Sequence, residues 1–325
     1  MHEHVARTLY YFEIHLLYAS IVWCAAWLLT SILPGSATTK YWIWVVTAFN
    51  FILPLGAILD KLLASHLSWA SPLGVVGDLG VAISENVPAS VTLGVVWLLG
   101  AIVMVARLCL RLRADHRNAR STAGAGALNA RQSLLAHGVP VRFGENQAPA
   151  VDGVLHPHIS LPDGIDHLLS ERELDAVLIH EVTHARRRDN LIRLIYELGL
   201  CGLWFHPPVW ITGSRIALYR ELSCDESVIQ NAHGEELVSA LAKLANPEKG
   251  LMLQASASSF ISHRLARLAT HPQPAYRAAS ILLTGVFGAV LFCGVFGTVA
   301  HTACCFVAKG QSPEVQHAAT CNRVR

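Results

Sequence analysis

Apolar positions along the chain fall into two patterns. Four runs are apolar without a period: Leu9–Leu33, Tyr41–Leu59, Pro88–Leu110 and Ala278–Ala303. At about 1.5 Å of rise per residue, the first, third and fourth cover the roughly 30 Å of a bilayer's hydrocarbon, and the shorter second run is adequate. Tyr10, Tyr11, Tyr41, Trp42 and Trp44 lie near run ends, where interfacial aromatic belts form. The stretch 62–84 contains His66, Pro72 and Asp78, which makes it a poor span and a better interfacial or re-entrant segment.

Between the third and fourth runs the pattern becomes periodic and mixed. After a small-residue linker, "STAGAGALNA", a helix is expected at 128–137. Short strands follow in "VPVRF" (139–143) and "AVDGVLHPHISLP" (150–162), with Pro157 marking an edge. Ser170 and Glu173 form a capping box that opens the helix "ERELDAVLIHEVTHARRR", whose packing face is Leu174, Val177 and Leu178. An apolar helix at 190–204 leads to "WFHPPVW". A helix from Ser214 then stops at Gly234, a suitable C-terminal cap. "EELVSALAKLA" and "FISHRLARLA" are two further amphipathic helices. The fold class implied is mainly α: a multi-pass membrane protein with about four transmembrane helices and an inserted α+β domain. The boundaries are an N-terminal membrane region at 1–111 (spans near 9–33, 41–59 and 88–110), the inserted domain at 112–277, the last span at 278–303 and a tail at 304–325.

Composition supports this division. The chain of 325 residues is 53% hydrophobic and 15% charged, where a soluble domain carries about 25%. The charges concentrate in 107–277. The uncharged core Ile14–Leu33 is longer than the roughly 7–15 residues of a signal peptide's apolar region, so an uncleaved anchor is expected. A net charge of +2, with no basic cluster interleaved with aromatics, argues against direct nucleic-acid binding. The eight cysteines contain no CxxC pair, which disfavours a thiolate zinc site. "RLCLRLRADHRNAR" after the third run and Arg264, Arg267 and Arg277 before the last place the inserted domain in the cytoplasm and the tail outside. Three preceding spans put the N-terminus outside; a fourth at 62–84 would put it inside.

The stretch "LIHEVTHARRRD" (178–189) carries candidate chemistry. Residues four apart share a helix face, so His180 and His184 can bring two imidazole nitrogens to one ion. Glu181 lies about 100° around the axis, within reach of a metal-bound water but poorly placed as a ligand. A non-redox ion that accepts imidazole and prefers four ligands is zinc, which brings its water to near-neutral pKa for a carboxylate base to deprotonate. A third ligand is still required. "RELSCDESV" offers Glu221 to face the metal and Asp225 to accept the free N–H of a ligand histidine. The competing reading makes these a solvated acidic face, as expected for Glu226. Cys224 is a rival ligand whose spacing turns it off the Glu221/Asp225 face. Arg186–Arg188 are expected to be the solvated end of a helix, with Asp189 able to pair with them. His206 and Tyr219 are conceivable oxyanion stabilisers that no spacing selects, and His156, His158 and His263 are taken as structural or exposed.

"HEVTHARRRDN", "LWFHPPVW" and "YRELSCDESV", in that order, resemble the bacterial membrane zinc metallopeptidases of the BlaR/MecR type, the beta-lactam sensor-transducers and their sensorless relatives. The resemblance runs from the first span through the fourth. It implies a gluzincin-like domain in which His180, His184 and Glu221 hold zinc and Glu181 is the general base. It also implies an edge strand within 150–160 that receives an extended substrate peptide by strand addition, and a place in the bacterial inner membrane. The implied partners are the lipid bilayer and a protein substrate, either a transcriptional repressor or the protein itself. Antibiotic-sensing members carry a penicillin-binding domain after the last span. Here about twenty residues follow Ala303 without an S-x-x-K motif, so no reaction with a beta-lactam is expected. A non-catalytic membrane transducer or scaffold with a structural metal site is the alternative, against which the intact Glu181 argues.

Overall fold

The protein is described from a computed structural model over residues 2–53, 87–120, 128–144, 148–231, 233–244, 264 and 278–292. The segment 62–84, the tail 304–325, His263 and, apart from Arg264, the expected helix "FISHRLARLA" lie outside the described residues. The described residues within Leu33–Val46 and Gly100–Leu283 form one compact unit, and those within Met1–Ile32, Thr47–Leu99 and Thr284–Arg325 form another.

Three helices and a fourth, shorter one carry the apolar runs. They are α1 (His2–Ile32), α2 (Ala37–Ile52), α3 (Val87–Arg120) and α10 (Ala278–Phe292). Two are long and apolar enough to cross a membrane, over His15–Ile32 and Val91–Asp115. The α3 stretch 91–106 carries no charged residue on any side, and Val91, Val96, Leu99 and Val103 are exposed. A helix without a polar face has no orientation that suits water, and lipid is the solvent it matches.

The remainder of the site-bearing unit is a small sheet with helices. A short helix α4 (Ala130–Leu135), capped by Asn129, precedes β1 (Val141–Gly144), β2 (Ala150–Asp152) and β3 (His158–Pro162). The sheet order is β1-β3-β2, with β1 parallel and β2 antiparallel to β3. β3 is central and buried along its length, which leaves β1 and β2 as edges. On β2, the Val151 carbonyl accepts from Asn190 Nδ2 at 2.8 Å. A one-turn helix α5 (Ile165–Leu168) leads to the motif helix α6 (Glu171–Arg187). α7 (Asp189–Gly202), α8 (Pro207–Gln230) and α9 (Gly234–Leu244) follow.

The α6 boundaries have local causes. Ser170 Oγ accepts from Glu173 N, and the Glu173 carboxylate accepts from Ser170 N, so two otherwise unpaired N–H groups are satisfied. At the other end Arg188 adopts a left-handed conformation (φ 56°), which stops α6 and starts α7 at the next residue. Leu174, Val177, Leu178 and Val182 recur at helical spacing and pack on Phe143, Ile159 and Leu161 of the sheet. Ala176, His180 and His184 form a second ridge, directed at α8. Along it Ala176 packs with Val228, while His180 and His184 meet Glu221 and Asp225 further back on α8. Partner numbers fall as α6 numbers rise, so the two helices cross in opposite directions.

The expected helix 214–234 is corrected at both ends. α8 begins at Pro207, because proline is tolerated where the first-turn N–H groups have no helical partner anyway. It ends at Gln230, and Gly234 opens α9 rather than capping α8. Near its start α8 crosses α7 closely. A Cβ on Gly213 would lie 2.2 Å from Tyr196 Oη, so only glycine permits that approach.

Candidate metal centre

Helix α6 supplies two imidazoles. His180 Nε2 and His184 Nε2 are 3.2 Å apart. Each ring's other nitrogen faces a carboxylate. His184 Nδ1 donates to Asp189 Oδ2 at 2.6 Å, which the left-handed Arg188 makes reachable by folding the chain back. His180 Nδ1 faces Asp225 Oδ1 at 3.1 Å, an ion-pair distance without an aligned hydrogen bond. Carboxylates only accept, so Asp189 and Asp225 favour a proton on each Nδ1; with the rings neutral, as metal ligands must be, both Nε2 atoms offer lone pairs. Helix α8 then adds Glu221, whose Oε2 is 3.6 Å from His180 Nε2 and whose Oε1 is 3.9 Å from His184 Nε2.

Three electron-pair donors thus converge in a buried place, all within 4.8 Å of one another. Lone pairs at this range repel unless a cation lies between them. Two ligands of a tetrahedral zinc with bonds of about 2.0–2.1 Å sit about 3.3 Å apart, close to the spacing of the imidazole nitrogens. The donor set of two imidazoles and one carboxylate therefore fits zinc and leaves a fourth position. Glu181 is buried beside His180 and adds to the field around Arg264.

The electrostatics agree with a cation site. For His180, burial opposes the charged form, but Asp225 and Glu221 outweigh it and raise the pKa to about 9. For Glu221, burial alone would raise the pKa, yet Arg220 and the two histidines hold it well below the usual carboxylate range. Arg220 donates to Glu221 Oε1 at 2.8 Å, and Arg264 Nη1 lies 3.8 Å from Oε2. Asp225 is likewise held low against burial, by His180 and by Arg264, which donates to Oδ2 at 2.9 Å and Oδ1 at 2.8 Å.

Several neighbours differ from their sequence-based assignment. Glu226 is not solvated; it is buried and accepts from Thr38 N and Oγ1, both at 3.1 Å. Arg187 is not the loose end of a helix. Its guanidinium donates to both oxygens of Asp189 at 2.6 Å and to Ser223 Oγ, and lies 4.1 Å over the Tyr41 ring. Cys224 comes nearer than its spacing suggested, with Sγ 3.4 Å from His184 Nδ1, so it faces the nitrogen turned away from the donor cluster. Burial raises its thiol pKa well above the ordinary value, and with His184 and Asp189 it forms a second buried group of potential metal donors on the far side of the His184 ring. His206 precedes the first turn of α8, about 22 Å along the helix axis from Glu221 at the standard rise. That distance removes it as an oxyanion stabiliser. No motif marks Arg220 in the sequence, and Arg264 stands out there only as a charge that sets topology. Asp189 was seen only as an arginine partner, although its place five residues after His184 is a usable signal.

A family profile described as BlaR1 peptidase M56 matches residues 12–268. Among curated proteins, the regulatory protein BlaR1 of Bacillus licheniformis is 29% identical over 157 residues, covering 45% of this chain and 26% of that protein. The methicillin resistance mecR1 proteins of Staphylococcus aureus and Staphylococcus epidermidis are 20% identical over 177 residues, covering 51% of this chain and 30% of theirs. The chain thus matches less than a third of the length of these relatives.

Proposed function

The chain belongs to the BlaR1 peptidase M56 family, and from that premise we propose that it is an integral-membrane zinc endopeptidase acting at the cytoplasmic face. The reading rests above all on one observation: Asp189 and Asp225 turn both distal imidazole nitrogens away, so that two Nε2 lone pairs and the Glu221 carboxylate meet at one point. His180, His184 and Glu221 are the zinc ligands, and the domain at 112–277 is gluzincin-like. Zinc held there supplies Lewis acidity toward a peptide carbonyl and toward water. Glu181 takes the proton of the attacking water and delivers it to the leaving amine nitrogen as the C–N bond breaks. The buried field of Arg220 and Arg264 keeps Glu221 anionic and available to the ion. The edge strand β2 receives an extended substrate segment, which holds a backbone carbonyl near the metal while reading little sequence. The substrate class is a protein, a transcriptional repressor or the chain itself.

Four membrane helices over 9–33, 41–59, 88–110 and 278–303 complete the architecture, with a tail at 304–325, in the bacterial inner membrane. Exposed Leu198, Phe205, Trp210 and Ile211 around the α7–α8 corner suit a domain lying against lipid. The test is Glu181→Gln in the full chain. It is expected to hold about one zinc per chain, as wild type does, while cleaved termini vanish from the cellular proteins. Persisting cleavage removes Glu181 as the base; absence of zinc from wild type removes the site.

A further inference from the structure

Helix α2 enters the metal centre at two places. Tyr41 Oη donates to Asp189 Oδ1 at 2.8 Å, while Asp189 Oδ2 accepts from the ligand His184. One turn earlier, Thr38 N and Oγ1 donate to Glu226, which stands beside Asp225 on α8. Tyr41 is fully buried and Asp189 nearly so, and the Arg187 guanidinium lies between them, on the tyrosine ring and forked onto the carboxylate. Both turns of α2 belong to the same compact unit as the site.

The division of work on Asp189 matters. Arg187 forks onto both carboxylate oxygens, so it neutralises the charge and holds the carboxylate plane from one side. Tyr41 touches Oδ1 alone, from the side away from His184. Its rigid ring is anchored on a helix, so together with the Arg187 fork it holds the rotation of the carboxylate plane that Oδ2 presents to Nδ1. Ligand orientation of this kind governs how well a histidine meets its metal.

We propose that Tyr41 is a positioning residue for the metal ligand His184, acting through Asp189, and that a membrane helix is thereby a working part of the metal centre. This rests on the zinc site proposed above. A displacement of the start of α2 reaches His184 through two hydrogen bonds, Tyr41 to Asp189 and Asp189 to His184. Because α2 begins one of the apolar runs, a signal arriving in the membrane region has a direct route to the ligand geometry.

The experiment uses the full chain in detergent, with zinc affinity measured against a chromophoric chelator and ligand geometry read from the visible spectrum of the cobalt(II)-loaded protein. Tyr41→Phe removes one oxygen and keeps the ring. About tenfold weaker zinc binding and a shifted cobalt spectrum are expected, in line with losses on removing outer partners of a ligand histidine. Asp189→Asn should weaken binding further, and the double variant should be no worse than Asp189→Asn alone, because both act through one path. Val46→Ala, an exposed position on α2, should change neither readout. Should Tyr41→Phe fail to fold, 3-fluorotyrosine at position 41 keeps the shape, alters the hydroxyl's donor strength and should shift the cobalt spectrum. Wild-type affinity and spectrum in Tyr41→Phe, an unshifted spectrum with the fluorotyrosine, or additive effects of the two substitutions would overturn the inference while leaving the zinc site standing. A wild-type chain that holds no zinc would instead sink the site itself and this inference with it.

Discussion

Arg264 forks onto Asp225, Nε to Oδ2 at 2.9 Å and Nη2 to Oδ1 at 2.8 Å, and both side chains are buried. The pair stands behind His180, so Asp225 can face the imidazole without being an unpaired charge in the interior. The same guanidinium reaches toward Glu221, so a single arginine steadies a ligand and the partner of another ligand.

Removing that arginine should therefore cost both stability and metal. Arg264→Met keeps the length but strands Asp225, and breaking a buried pair from one side costs about 3–5 kcal/mol. Arg264→Lys keeps the charge and loses the two-pronged geometry, with a smaller loss expected. Denaturant midpoints and zinc content of the purified full chain check this. A methionine variant with wild-type midpoint and full zinc would show the pair to be dispensable.

The contrast between Arg264 and His180 explains which parts of the site were legible. His180, Glu181 and His184 lie within one helical turn, and Ser170 and Glu173 announce that helix by capping chemistry, so periodicity alone brings them together. Glu221 and Asp225 were reachable because a zinc shell needs a further acidic ligand and their spacing offers a face. Arg264 and Tyr41 meet the site only through the tertiary fold, and nothing in their own neighbourhood marks them. Glu226 and Arg187 were misread for the same reason. A charged residue near a helix end is usually solvated; here α2 covers Glu226, and α2 together with α8 covers Arg187. The start of α8 was missed because "HPPVW" reads as a breaker, although proline is compatible with a first helical turn.

Glu173 links the motif helix to pH. Burial would raise its pKa, but hydrogen bonds from Lys243, Ser239 and Ser170 lower it from 4.5 to about 2. A carboxyl that is more acidic folded than unfolded contributes stability above its unfolded value. That contribution is lost as the pH falls from about 4.5 toward about 2. Glu173→Gln should cost about 1–2 kcal/mol at neutral pH, the worth of charge-assisted hydrogen bonds. The gap from wild type should close across that acidic window. Thermal midpoints of both proteins between pH 7 and pH 3 test it; a gap independent of pH would show that the charge of Glu173 is not what matters.

Leu178 measures how far the sheet supports the motif helix. It is fully buried and packs in the cluster with Ile159 and Leu161. Leu178→Ala should cost about 3 kcal/mol through lost transfer energy and the cavity left behind. Leu155, 64% exposed, should tolerate alanine within about 0.5 kcal/mol. Equal losses at the two positions, measured by chemical unfolding, would contradict the assigned core.

The contact between Tyr41 and Asp189 also constrains topology. On the topology proposed above, it ties the start of α2 to the side of the membrane occupied by the metal-site domain, which puts the turn at 33–36 on that side and the start of α1 on the other. α3 ends at the domain as well, where Arg111 pairs with Glu197 of α7. That topology then requires an even number of crossings between the far end of α2 and the start of α3. The proposed topology thus has no single extra span at 62–84, and the positive-inside rule applied to the arginines after α3 makes the shared side the cytoplasm in that proposal. Reporter fusions after residue 130 should accordingly give a cytoplasmic signal, and fusions at the N-terminus, within 62–84 and at residue 320 an extracytoplasmic one. Fusions at 130 and within 62–84 reporting the same side would break the link between α2 and the metal centre as drawn.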